Sequence, residues 1–151
     1  MQPKPVFRRA REHDRALLLA LCAAYREADH QPAAIDEVQA AVDAALAGDP
    51  LIHLYLIDVG ERCAGYLAIT IGYSIEVGGR DAFLDELYVE AWARSQGIGS
   101  LAIAFAEHAC APLQVRRLCM EVEHDNPRAK QLYERLGYAA HTRSTMSKRL
   151  Q

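Results

Sequence analysis

The sequence predicts one α/β (α+β) domain, a mixed and mostly antiparallel twisted sheet of about seven strands flanked by about four helices. The expected order is β-α-α-β-β-β-α-β-α-β-β. Three observations predict it. Apolar spacing is helical up to Leu46 and strand-like from Leu51. Residues 81–123 read as strand, glycine-punctuated turn, helix and strand, a unit that normally yields two parallel strands with a right-handed crossover. The hairpin before that unit is expected to be antiparallel.

Each element has its own signal. Val6 to Arg9 is a short first strand. Arg11 to Ala28 is helical, with Leu17, Leu18, Leu21, Cys22 and Tyr25 on one stripe. Residues 29–32 break the pattern. A second helix carries Ile35, Val38, Val42 and Leu46 on one side, and Gly48 with Asp49-Pro50 ends it. Leu51 to Asp58 and Cys63 to Ile71 form a hairpin around Val59-Gly60-Glu61. Residues 73–80 are less regular, with a bend at Gly78-Gly79, and Asp81 to Val89 is the next strand. Gly97 to Ala111 is a helix whose expected buried face is Ile98, Leu101, Ala102, Phe105 and Ala109. Arg117 to Glu123 is a strand. Asn126-Pro127 opens a helix, with Asn as cap and Pro at the first helical position. Its inner stripe is Ala129, Leu132, Tyr133 and Leu136, and Gly137 ends it. Two short strands, about Tyr138 to Arg143 and Thr145 to Leu150, finish the chain.

The 151 residues suffice for one core, and 51% apolar with 25% charged residues suits a soluble globular domain. A net charge of −3 lacks the basic footprint of nucleic-acid binding. Cys22, Cys63, Cys110 and Cys119 have no metal-ligand spacing, so reduced thiols and no metal are expected, as in a cytoplasmic protein. The N-terminus has no apolar signal core. The longest apolar run, Ala16 to Ala24, is too short to span a bilayer, so no membrane role is expected.

The chemistry concentrates in Leu84-Asp85-Glu86-Leu87-Tyr88-Val89 and Arg94-Ser95-Gln96-Gly97-Ile98-Gly99-Ser100, a strand followed by a basic turn that opens a helix. Unpaired N–H groups at a helix start form an anion site, and glycines allow a phosphate to approach the backbone. The turn lacks the Gly-Lys-Ser/Thr end of a nucleotide P-loop and the third glycine of a dinucleotide motif.

Two motifs together carry a family resemblance. Arg94-Ser95-Gln96-Gly97-Ile98-Gly99 resembles the basic-or-Gln-x-x-Gly-x-Gly turn of the GNAT (GCN5-related) N-acetyltransferases. Residues 126–138, Asn-Pro-Arg-Ala-Lys-Gln-Leu-Tyr-Glu-Arg-Leu-Gly-Tyr, resemble that family's Asn-x-x-Ala-x-x-Leu-Tyr-x-x-x-Gly-aromatic signature. The resemblance implies a single N-acetyltransferase domain over 1–151, with acetyl-CoA and an amine acceptor as partners. It implies that Arg94, Ser95, Gln96, Gly97, Ile98, Gly99 and Ser100 hold the pyrophosphate. It also implies that Leu87, Tyr88 and Val89 run beside the pantetheine arm, that Asn126 contacts the arm, and that Tyr133 stands at the thioester sulfur.

The implied reaction is direct acetyl transfer to a primary amine, with Tyr133 as general acid and a backbone N–H of the strand ending at Val89 polarising the carbonyl. Glu86 or Glu121 is the water-assisted base. Glu86 is favoured because its strand flanks the thioester, and Glu121 lies five positions before Asn126, as does the base proposed in the ribosomal-protein acetyltransferases. The acceptor side would include Tyr25, Asp29, His30, Tyr73, Glu76 and Asp81. The alternative is a non-catalytic acyl-CoA-binding or sensor module on the same fold. Edge strands at the C-terminus are compatible with a homodimer.

Overall fold

The computed structural model describes residues 3–30 and 33–150, and the chain divides into two compact units, Met1–Glu121 and Val122–Gln151. The first unit contains β1 (Pro5–Arg9), α1 (Arg15–Asp29), α2 (Ile35–Leu46), β2 (Ile52–Val59), β3 (Arg62–Ser74), β4 (Gly79–Val89), α3 (Ile98–Cys110) and β5 (Val115–Cys119). The second contains α4 (Pro127–Arg135). The strands form one sheet in the order β1-β2-β3-β4-β5. The first three pairings are antiparallel, and β4 with β5 is parallel.

The apolar run of β2 is continuous because both of its faces are buried. Leu54 and Leu56 join Tyr66, Ala68 and Tyr88 under Leu18, Leu21 and Cys22 of α1 and Val42 and Ala45 of α2. Tyr55 faces the other way, where Phe105 of α3 packs edge-on against it and stacks on Phe7 at 4.8 Å. Arg8 ties β1 to this frame. It bonds Asp14 at 2.8 Å and Asp58 at 2.6 Å, and the Arg8 guanidinium holds the Asp14 carboxyl below the usual carboxylate range.

In the second unit Asn126 caps α4, accepting a hydrogen bond from Ala129 N–H at 3.1 Å. The helix ends with Gly137 N–H on Glu134 C=O and Tyr138 N–H on Tyr133 C=O, the bond pair of a Schellman stop. Ala129, Leu132 and Tyr133 are half-buried as expected, whereas Leu136, the fourth residue of the expected stripe, is exposed.

Several expectations are corrected. The described residues form five strands, not about seven, and the order stops at α4. The segments 138–143 and 145–150 have no regular structure. Their apolar residues are few and do not alternate, and Met146 and Leu150 are exposed, so no strand face is buried. The strand expected at Arg117–Glu123 is Val115–Cys119, because its pairing with β4 ends at Phe83 opposite Cys119 and no strand forms without a paired neighbour. The bend at Gly78-Gly79 is a tight hairpin turn, with β3 running on to Ser74 and β4 starting at Gly79. The buried face of α3 is Ile98, Ala102, Ile103, Ala106 and Cys110, with Leu101 exposed. That helix is apolar nearly all round, so period alone left its facing ambiguous. Residues 31 and 32, part of the expected break between helices, lie outside the described residues.

Two irregularities shape the functional end of the sheet. The β2–β3 register slips between Ile57 and Asp58, leaving Ala64 as an extra residue beside Gly65. A methyl group on Gly65 would sit 2.0 Å from the Tyr88 carbonyl oxygen. The glycine therefore lets β3 lie close under the end of β4. Gly65→Ala is expected to cost about 1–3 kcal/mol through this overlap, read as a lower chemical-denaturation midpoint with an unchanged m-value.

Candidate functional site

Strand β4 is paired unequally on its two sides. Beside β3 it is bonded from Gly79 to Val89, whereas β5 pairs only with Arg80 to Phe83 and ends at Cys119. The β5-facing edge of Leu84 to Val89 is therefore outside the sheet ladder, and its backbone groups are available to an extended ligand. The β3–β4 register also slips here, from Ala68 opposite Glu86 to Ile69 opposite Leu84. Asp85 is the inserted residue of that bulge.

A groove of about 380 Å³ opens along this edge. Leu87, Tyr88 and Val89 form one wall, Tyr25, Ala28 and Asp29 of α1 another, and Ala93, Arg94, Ser95, Gly97, Ile98 and Gly99 its end. The turn between strand and helix hangs from two buried anchors, Ala93 (0% exposed) and Ile98 (4%). Gly97 caps α3 at φ 76°, a left-handed conformation that favours glycine. Among the described residues, a Cβ at Gly97 or Gly99 would meet no atom within 4 Å beyond its chain neighbours and its own helix backbone. The turn is thus open on the side where the first N–H groups of α3 emerge. Arg94 donates through Nε to the Val89 carbonyl at 2.8 Å and lies over the Tyr88 ring. This braces the turn against the end of β4.

The structure brings Leu87, Tyr88, Val89, Arg94, Ser95, Gly97, Ile98 and Gly99 to one groove. Gln96 instead donates to the Trp92 carbonyl at 3.1 Å, and Ser100 lies in the first turn of α3. Asn126 is the cap of α4, and Tyr133 lies on α4, where burial pushes its phenol above the ordinary value. Of the expected acceptor-side residues, Tyr25 and Asp29 line the groove. Glu76 and Asp81 pair with Arg117, while Tyr73 is exposed near the β3–β4 turn.

Glu86 is not a solvated strand residue. Arg26 Nη2 donates to its Oε1 and the Tyr66 hydroxyl to its Oε2, each at 2.5 Å. Tyr66 is fully buried, and burial together with the adjacent Glu86 charge raises its phenol strongly. The rings of Tyr66, Tyr25 and Tyr88 meet at 6.4 Å centroid separations. Burial, then Asp29 and Glu86, push Tyr25 up to about 12. Asp85 is also raised, by desolvation and then by Glu86 and Glu121. Sequence reasoning missed Arg26 and Tyr66. The available signal was a charge at Arg26, one turn after Cys22 on the apolar stripe of α1.

The four cysteines are free thiols. Among the described residues no cluster of three or more His, Cys, Asp or Glu side chains could hold a metal ion. No described helix is long and apolar enough to cross a membrane.

The family model described as Acetyltransferase (GNAT) family matches residues 15–138. The chain is 27% identical over 135 residues to an uncharacterized N-acetyltransferase, YhfO, of Bacillus subtilis (strain 168), covering 89% of this chain and 90% of that protein. An integron cassette protein, HFX_CASS3, from the mobile metagenome of Cole Harbour salt marsh superposes with a TM-score of 0.83 at 28% identity, covering 96% of this chain and 90% of that one. The aminoglycoside N-acetyltransferase AAC(6')-Iy, solved in complex with CoA, shares the fold with a TM-score of 0.81 at 14% identity, covering 99% and 96%.

The acidic residues around the bulge give a pH prediction. A carboxyl whose pKa is raised in the folded state binds protons better folded than unfolded, so Asp85 favours folding less as pH climbs through the carboxylate range. Glu121→Gln removes one repelling charge and is expected to lower the Asp85 pKa. Carboxyl-carbon NMR titration checks this, and an unmoved Asp85 midpoint refutes it.

Proposed function

Because this chain belongs to the GNAT acetyltransferase family, we propose that it moves an acetyl group from acetyl-CoA to a primary amine by direct attack. The observation that carries the reading is the unpaired edge of β4 leading into the open turn at Gly97 and Gly99. Leu87, Tyr88 and Val89 offer strand-like backbone bonds to the pantetheine amides. The amides from Gln96 to Ser100, Ile98 among them between the two glycines, receive the pyrophosphate together with Arg94 and Ser95. An anion there gains from unpaired N–H groups, the helix dipole and a guanidinium together. Asn126 adds a contact to the arm through the side of its amide that the cap leaves free.

An alkyl ammonium with a pKa near ~10.4 is about one part in 10³ neutral at pH 7, a cost of roughly 4–5 kcal/mol that the site must offset. Glu121 takes that proton through a water molecule. It is preferred over Glu86 because Glu121 is exposed, whereas both oxygens of Glu86 accept bonds from Arg26 and Tyr66. The amine nitrogen then bonds to the thioester carbon, a β4 backbone N–H takes up charge on the carbonyl oxygen, the nitrogen releases its second proton to water, and the carbon–sulfur bond breaks. Tyr133 gives its hydroxyl proton to the departing thiolate and is reprotonated from solvent. A phenol is protonated at neutral pH, as a general acid requires, and burial pushes this one further in that direction.

Free-thiol release from acetyl-CoA across a panel of small amines and peptides tests the reaction. Release with at least one amine is expected, and tight acetyl-CoA binding without release on any amine overturns it in favour of a sensor. Tyr133→Phe should keep acetyl-CoA affinity and lose at least about tenfold in kcat. Equal turnover removes Tyr133 from the mechanism. Gly99→Val places its Cβ where, among the described residues, no atom beyond its own helix and chain neighbours lies within 4 Å. It should weaken acetyl-CoA binding by calorimetry with the melting temperature preserved, and unchanged affinity counts against the pyrophosphate assignment.

A further inference from the structure

We propose that Arg26, Glu86 and Tyr66 form a positioning triad that sets the separation between the α1 wall and the β4 wall of the acetyl-CoA groove. The inference rests on the acetyl-CoA reading above and assigns Glu86 a role other than proton transfer.

Glu86 belongs to β4, next to the groove-lining Leu87. Arg26 belongs to α1, next to the groove-lining Tyr25 and one turn from Asp29. The Arg26–Glu86 bond therefore joins the two walls directly. Arg26 Nη1 also donates to the Cys22 carbonyl at 3.3 Å, which fixes the guanidinium along its own helix. Tyr66 comes from β3 beneath and secures the second Glu86 oxygen. Its ring supports Tyr25 and Tyr88, one from each wall. Arg26 lies 5.6 Å from the Tyr25 centroid, so a shift of the guanidinium disturbs the ring that faces the ligand.

Stability alone does not account for this arrangement. The Arg26 and Glu86 side chains are 24% and 16% exposed, and Arg26 Nε is buried with no hydrogen-bond partner. A desolvated pair of this kind is commonly matched or exceeded in stability by apolar side chains of similar size. What an ion pair supplies and a greasy contact does not is a fixed register between two elements. A groove that receives an extended ligand on one wall needs the other wall at a set distance.

The test uses the full chain and acetyl-CoA. Trp92, the single tryptophan, is partly exposed just before the turn and provides a binding signal that requires no turnover. Arg26→Met leaves Glu86 without its countercharge, which destabilises the fold, so the decisive variant is the double Arg26→Met/Glu86→Leu, which removes both charges. Expected is a cooperative melt, lowered because the buried Tyr66 hydroxyl loses its acceptor, with acetyl-CoA affinity about tenfold weaker, the equivalent of about 1.4 kcal/mol. Arg26→Lys, which keeps charge but not the planar fork, should fall between the two. A folded double variant that binds acetyl-CoA as tightly as wild type overturns the proposal. So does Glu86→Gln if it abolishes the basic-going rise of the pH–rate profile, because that result makes Glu86 the proton acceptor. If wild-type protein itself gives no saturable acetyl-CoA signal by fluorescence or calorimetry, the cofactor reading fails, and the triad proposal with it.

Discussion

Everything at the functional end of the molecule follows from β4 having a neighbour along its whole length on one side and only through Phe83 on the other. A strand edge is normally a hazard, because its N–H and C=O groups invite pairing with any extended chain. Here the unpaired stretch is short, bulged at Asp85 and faced by α1, so it is presented to a groove rather than to open solvent. The same stretch runs through Val89 to the buried anchor Ala93 and on to the glycine turn. One continuous piece of backbone thus carries both an edge suited to amide groups and a helix start suited to phosphates.

Beneath that edge the protein tolerates unusual polarity. Tyr66 is fully buried within a cluster whose other members are Tyr88 and Leu, Ala, Val and Cys residues, and its hydroxyl is satisfied by Glu86. Buried polar groups are acceptable only when paired, and the pairing here crosses three elements. The charges also shape their neighbours. Burial first, with the Glu86 charge adding to it, holds Asp85 and Tyr25 in their protonated forms more strongly than water would. Arg26 experiences opposing effects, with burial disfavouring its charge and the contacts with Glu86 outweighing that penalty.

Legibility from sequence varied with how local the cause was. The Asn126-Pro127 start of α4 and its stop at Gly137 are set by residues within one turn of each other, and the cap bond to Ala129 appears as expected. The turn from Arg94 to Gly99 is local in the same way. The tail beyond Gly137 was misread because short runs of mixed residues can be written as strands, whereas a strand exists only if a partner and a buried face are available. Helix α3 was placed correctly but rotated, since its apolar residues surround it and only the sheet decides which of them face inward.

The glycine turn, the Asn-Pro helix start and the change of apolar period at residue 51 were determined by the sequence itself, because each depends on backbone preferences of adjacent residues. Tertiary structure decided the rest. It ended β5 at Cys119, put the extra residue of the β4 bulge at Asp85, and joined Arg26 to a glutamate sixty residues away. Those outcomes turn on which distant groups can satisfy one another once water is removed, and no window along the chain contains both members of such a pair.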